Sequence, residues 1–125
     1  MTSSKKIRGD EAEAAACHYL QSQGLHLIER NFLCKRGEID LVMRQADTTV
    51  FVEVRYRQNS RYGSGAESVD WRKQAKLLAT AEYYLQQHPR AAKGACRFDV
   101  VALSAQHPQP GTDWTIDWIE NAFHA

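Results

Sequence analysis

GEIDLVMRQADTTVFVEVRYR, residues 37–57, is the stretch that decides how this chain folds. Two apolar runs, Ile39–Met43 and Val50–Val54, flank the polar segment around Ala46 and Asp47, which predicts a β-hairpin. Each strand carries an acid where a plain sheet favours an apolar or β-branched residue: Asp40 in the first, Glu53 in the second. Side chains alternate between faces, so Phe51, Glu53, Arg55 and Arg57 share one face of the second strand. Asp40, Val42 and Arg44 share one face of the first.

Register decides what the two acids do. If the turn is centred between Ala46 and Asp47, Asp40 faces Glu53. Carboxylates opposed across a sheet, with Cβ atoms about 5 Å apart, repel each other. One of them must then hold a proton, or a cation must lie between them. A hard divalent ion such as Mg²⁺ (or Mn²⁺) suits, since one or two carboxylates hold it while waters and a substrate phosphate complete its shell. If the turn is centred one residue later, between Asp47 and Thr48, Asp40 faces Arg55 in an ordinary cross-strand ion pair. The turn has no Asn-Gly signal to fix register, and the residues leave both arrangements open.

Outward from the hairpin, the chain reads as α-β-β-β-α-β-β. Upstream, an alanine-rich helix is expected from about Asp10 to Gln23, with Asp10 as N-cap, Glu13 three residues later and Gly24 just past the end. Ala12, Ala16, Tyr19 and Leu20 form its apolar stripe. Residues 1–8 read as a frayed end. Leu25–Leu33 reads as a strand that packs Leu25, Leu27 and Phe32. Downstream, residues 58–67 (QNSRYGSGAE) read as a mobile loop of the kind that often carries function. A second helix follows from about Ser68 to Gln87, with Trp71, Ala75, Leu78, Ala81 and Leu85 on its buried stripe and Pro89 beyond its end. Arg97–Leu103 reads as a strand buried on both faces, residues 104–113 as a loop, and Trp114–Ile119 as an edge strand before a terminal turn, Glu120–Phe123. Short turns make the first three strands antiparallel. The crossover through the second helix makes the next strand parallel to the third. The result is a mixed β-sheet in an α/β fold with helices packed on it.

Composition bounds the rest. The chain has 125 residues, enough for one domain, residues 1–125, that buries roughly two-thirds of its unfolded surface. Sixteen basic residues against fifteen acidic ones point to no partner by net charge alone. Cys17, Cys34 and Cys96 form no CxxC pair, which argues against zinc. Without a leader-like or membrane-length apolar run, a cytoplasmic location with no membrane partner is the simple expectation. Between Arg55 and Lys76, six basic residues (Arg55, Arg57, Arg61, Arg72, Lys73 and Lys76) stand against Glu67 and Asp70. If they form one patch, they would contact nucleic-acid phosphates.

Gly9, Glu13, Tyr19-Leu20, GEIDL (37–41), FVEVR (51–55), Lys73-Gln74 and RFDVV (97–101) together resemble the YraN family of small bacterial proteins, over nearly the whole chain. The acid opening one strand and the ExK-like triplet in the next also look like the PD-(D/E)xK nuclease signature. The resemblance implies a restriction-endonuclease-like fold, similar to archaeal Holliday-junction resolvases. It implies a Mg²⁺-dependent endonuclease acting on DNA, branched or single-stranded. Asp40 and Glu53 match the metal-binding acids and Glu13 a third acid that completes the metal site. Arg55 stands where such nucleases usually have lysine, and Gln74 where many carry a supporting polar residue. The register that joins Asp40 to Glu53 is favoured.

Arg55 departs from nucleases at large, because arginine stays charged and cannot act as a base. A nucleic-acid-binding module with a weak or lost catalytic site is therefore the second reading, and a protein-interaction domain on the same fold the third. Resolvase-like action on a symmetric junction would imply a two-fold homodimer. Other residues have structural uses. Glu13 fits a capping box with Asp10, Glu38 fits a turn, and Asp99 shares a face with Arg97 and so fits an ion pair. Tyr19, Trp71, Trp114 and Trp118 fit packed faces better than base-stacking platforms.

Overall fold

The computed structural model describes residues 4–57, 69–105 and 114–123, with side chains described for residues 9–56, 69–104 and 114–123. The loop expected at 58–67, Arg61 within it, and residues 106–113 lie outside the described residues. The chain runs α1 (Ser4–Ser22), β1 (His26–Cys34), β2 (Gly37–Gln45), β3 (Thr48–Arg57), α2 (Trp71–Gln87), α3 (Pro89–Ala92), β4 (Cys96–Ala105) and β5 (Trp114–Phe123). The five strands form one sheet in the order β1-β2-β3-β4-β5. β1, β2 and β3 are antiparallel neighbours, β3 and β4 are parallel, and β5 returns antiparallel to β4 at the edge. This is the mixed sheet expected from the sequence. The short helix α3 is an addition.

The hairpin settles its register at Leu41↔Val52, Met43↔Val50 and Gln45↔Thr48. The turn is therefore centred between Ala46 and Asp47, the arrangement that carries Asp40 toward Glu53. Ala46 holds a φ of 53° at the first turn position, which the primed two-residue turns require and which alanine tolerates poorly.

α1 lies against one face of the sheet. Ala12, Ala16, Cys17 and Leu20 pack with Leu41, Met43, Val50, Val52, Val101 and Leu103. Alanine at two of these helix positions lets the backbone approach the strands. The helix begins at Ser4, well before the expected Asp10. Asp10 is thus an interior residue and not an N-cap, and Glu13 has no capping box to join. At the other end Gly24 takes a φ of 99°, while the Leu25 N–H bonds to the Leu20 carbonyl at 3.0 Å and the Gly24 N–H to that of Gln21 at 3.1 Å. That is the Schellman pattern, with Leu20 and Leu25 both buried in the same cluster.

α2 covers the opposite face. The Asp70 carboxylate accepts from the Lys73 N–H at 2.9 Å and starts the helix at Trp71, three residues after the expected Ser68. Its buried residues are Leu77, Thr80, Ala81 and Tyr84, and Leu77, Ala81 and Tyr84 pack with Val42, Phe51, Phe98 and Val100. The expected stripe is corrected accordingly: Trp71 is 72% exposed, Ala75 is exposed, and Leu78 and Leu85 are only half-buried. Thr80 can face inward because its hydroxyl donates to the Lys76 carbonyl at 2.7 Å. Gly37 enters β2 with a φ of 152°, and a Cβ there would lie 2.9 Å from the Thr80 hydroxyl. This close approach brings the start of β2 against α2.

Two other expectations change. Leu27 is exposed, because β1 is an edge strand with an irregularity between Leu27 and Glu29. Glu120–Phe123 is strand, not a terminal turn. The fully buried Asp99 explains this. It accepts from Arg97 Nε (3.0 Å), Trp118 Nε1 (2.9 Å) and the Asn121 N–H (2.9 Å), and so holds an irregularity in β5 that returns Phe123 to pair with Phe98. No helix among the described residues is long and apolar enough to cross a membrane.

Candidate active site

The acids meet where β2 leaves β3. Regular pairing between the two strands ends at Leu41↔Val52. Beyond it, the Val54 N–H donates to Asp40 Oδ2 at 2.8 Å instead of continuing the backbone ladder. Ile39 then packs in the same cluster as Val42 and Phe51, against strict alternation, so the strand slips at Asp40. The carboxylate replaces a backbone acceptor and is held in place by it.

Glu53 is 5% exposed. Its Oε1 faces two cations, Arg55 Nε at 3.5 Å and Lys73 Nζ at 3.6 Å. Its Oε2 is buried without a hydrogen-bond partner, and so is Arg55 Nε, which the ion pair reaches at a distance too long for a hydrogen bond of good geometry. The Asp40 carboxyl lies close enough to Glu53 for its charge to act on it. Burial pushes Glu53 from 4.5 up to about 7; the Asp40 charge adds to this, while Lys73 and Arg55 oppose it. Burial also raises Asp40, against the pull of the Val54 N–H.

Glu13 reaches the site from α1. Burial and then the charge of Asp40 push it up to about 7, with Arg30 opposing. Asn31, at a φ of 54°, links it to Glu38: with its amide nitrogen turned toward the acids, it donates to Glu13 Oε1 at 2.8 Å and Glu38 Oε1 at 3.0 Å. The remaining candidates divide. Gln74 donates to the Val69 carbonyl at 2.8 Å and anchors the backbone entering α2. Arg72 lies over the Trp71 ring, 5.3 Å from its centroid. Lys76 is exposed on α2. Arg57 ends β3, with its side chain outside the described part, and Arg61 lies outside the described residues altogether. Lys73, read from the sequence as a phosphate contact, stands with its Nζ 3.6 Å from Glu53 Oε1. Asn31 had no signal in the sequence, because only its backbone conformation and the fold bring it to Glu13.

Among the described residues, no three His, Cys, Asp or Glu side chains are gathered as a ready metal cage. The donor set still fits a hard cation. Two adjacent carboxyls and an orphaned, buried carboxylate oxygen are what a divalent ion with waters or phosphate in its remaining positions would satisfy.

Fold and site together define a small mixed α/β domain that buries a pair of acids at a strand irregularity, flanked by an arginine and a lysine. The chain belongs to the uncharacterised protein family UPF0102, the YraN family, whose profile matches residues 12–103. It is 56% identical over 121 residues to a UPF0102 protein of Pseudomonas savastanoi pv. phaseolicola, covering 97% of this chain and 96% of that one. It is 47% identical over 122 residues to one from Pseudomonas aeruginosa, covering 98% and 96%. Among solved structures, Pyrococcus furiosus SfsA in complex with Ca²⁺ is similar over 93% of this chain and 63% of its own, at 12% identity and a TM-score of 0.37. A likeness that low bears on neither fold nor site.

Proposed function

We propose that this protein is a divalent-cation-dependent nuclease of restriction-endonuclease-like architecture that hydrolyses phosphodiester bonds in DNA. The observation that carries the reading is the convergence of Asp40 and Glu53, with Glu53 Oε2 buried and unpartnered beside two cations. Asp40 and Glu53 would hold Mg²⁺ or Mn²⁺, with Glu13 behind Asp40 as a third acid. Such an ion, when bound, supplies Lewis acidity to a phosphoryl oxygen and lowers the pKa of bound water. The chain's own residues do the rest. Arg55 and Lys73 place positive charge where negative charge develops on the phosphate. Lysine carries a compact point charge, so Lys73 offers from the helix the ammonium group that Arg55 does not supply in the strand. Gln74 keeps Lys73 in place by anchoring the start of α2. Arg72 and Lys76 extend the positive surface along the same helix.

The test is cleavage of single-stranded, junction and duplex DNA in Mg²⁺ or Mn²⁺. The wild type cuts, and Asp40→Asn and Glu53→Gln do not. Equal cutting by all three would overturn the site assignment. A second reading, a module that binds nucleic acid without cutting it, draws on the two cations that already occupy Glu53 Oε1. Salt-sensitive binding with no cleavage of any substrate would favour it. Sedimentation tests the two-fold dimer that resolvase-like action requires.

A further inference from the structure

We propose that Trp71 is a stacking platform for an unpaired nucleobase at the end of α2 that reaches the acidic pair, which makes single-stranded or branched nucleic acid the preferred ligand. The inference rests on the nuclease reading and deepens it. Trp71 opens α2 and is 72% exposed. An indole left in water wastes a large apolar surface, and among the described residues the helix buries Leu77, Thr80, Ala81 and Tyr84 instead of this ring.

Its surroundings fit a nucleotide. The Arg72 guanidinium lies over the ring, so the ring offers a face for a base and the guanidinium a charge for its phosphate. The Asp70 cap on the Lys73 N–H fixes the first turn, which makes the platform rigid. Lys73, two residues on, reaches Glu53 at 3.6 Å. One helical turn takes about 3.6 residues, so ring and lysine project from different sides of the same first turn of α2, the end of the helix that reaches the acids. Continuity with the acids and positive charge on Arg72, Lys73 and Lys76 favour a polyanion over an apolar protein surface. Duplex bases are stacked on their neighbours and cannot offer a face, whereas unpaired bases stack readily on aromatic side chains.

The experiment compares Trp71→Ala and Trp71→Phe in an Asp40→Asn background, so that nothing is cut. Fluorescence anisotropy reads binding to a labelled oligothymidylate and to a duplex of equal length at low salt. Trp71→Ala should weaken oligothymidylate binding about tenfold and leave duplex binding nearly unchanged, and Trp71→Phe should recover most of the loss. Equal weakening for both ligands, or no change for either, overturns the stacking role while the nuclease reading stands. If the parent binds neither ligand, both fall. If Trp71→Ala instead abolishes self-association in sedimentation and spares oligothymidylate binding, the ring belongs to a protein contact and the proposal is wrong.

Discussion

Asp40 Oδ2 accepts the backbone N–H of Val54 at 2.8 Å, so the acid of one strand is fixed by the residue that follows the acid of the other. This bond separates two properties of Asp40, its shape and its charge. Asp40→Ala strips a part-buried N–H of its acceptor and should cost about 1 kcal/mol. Asp40→Asn keeps an acceptor oxygen and removes only the charge. Chemical denaturation should therefore rank the alanine variant below the asparagine variant, while both lose cleavage. Equal stability would mean that the Val54 bond does not hold the strand.

Stability should fall as pH rises through the range in which Glu53 ionises. Its folded-state value is raised from 4.5 to about 7, first by burial and then by Asp40. The folded form thus binds more protons than the unfolded form between those values. The stability this contributes is complete below the unfolded value and is lost as pH passes the folded one. Glu53→Gln removes the effect. Melting temperatures of wild type and variant, followed from about pH 5 to pH 8, should show the wild type losing ground relative to the variant. A constant gap would mean that Glu53 ionises like an exposed acid.

Much of this was legible in the sequence, for identifiable reasons. Alternation in GEIDLVMRQADTTVFVEVRYR gave two strands, and Gly24 and Pro89 marked helix ends because backbone geometry there admits few alternatives. What stayed hidden depended on tertiary choices. Both registers satisfied the same pattern, and only the folded chain selects one. The buried stripe of α2 is hidden in the sequence because Thr80 counts as polar until its hydroxyl finds the Lys76 carbonyl. Trp71 matches the apolar spacing of a buried stripe, yet its place at the helix start leaves it exposed. Glu13 fits a capping box only in a helix that begins at Asp10, and α1 begins at Ser4.

A divalent cation should oppose the pH effect. If the ionised acids hold Mn²⁺ as proposed, it should raise the melting temperature more at about pH 8 than at about pH 6. At a hundredfold excess over its dissociation constant, the stabilisation approaches about 2.7 kcal/mol. Asp40→Asn and Glu53→Gln should abolish the shift in differential scanning fluorimetry. A shift that survives both substitutions would assign the cation to another place.

The register itself can be tested at Ala46. In the observed hairpin Ala46 is the first residue of a two-residue turn at a φ of 53°. Glycine adopts that conformation without the Cβ clash, so Ala46→Gly should stabilise the protein by up to about 1 kcal/mol, after allowing for the greater freedom of the unfolded chain. In the other register the turn is Asp47-Thr48 and residue 46 lies in the strand, where glycine should cost roughly 0.5–1 kcal/mol. The sign of one denaturation midpoint therefore distinguishes the two pairings. Cleavage should be unchanged in either case, since Ala46 is at the far end of the hairpin from Asp40 and Glu53. A destabilised variant would place Arg55, rather than Glu53, opposite Asp40 and would remove the structural basis of the acidic pair.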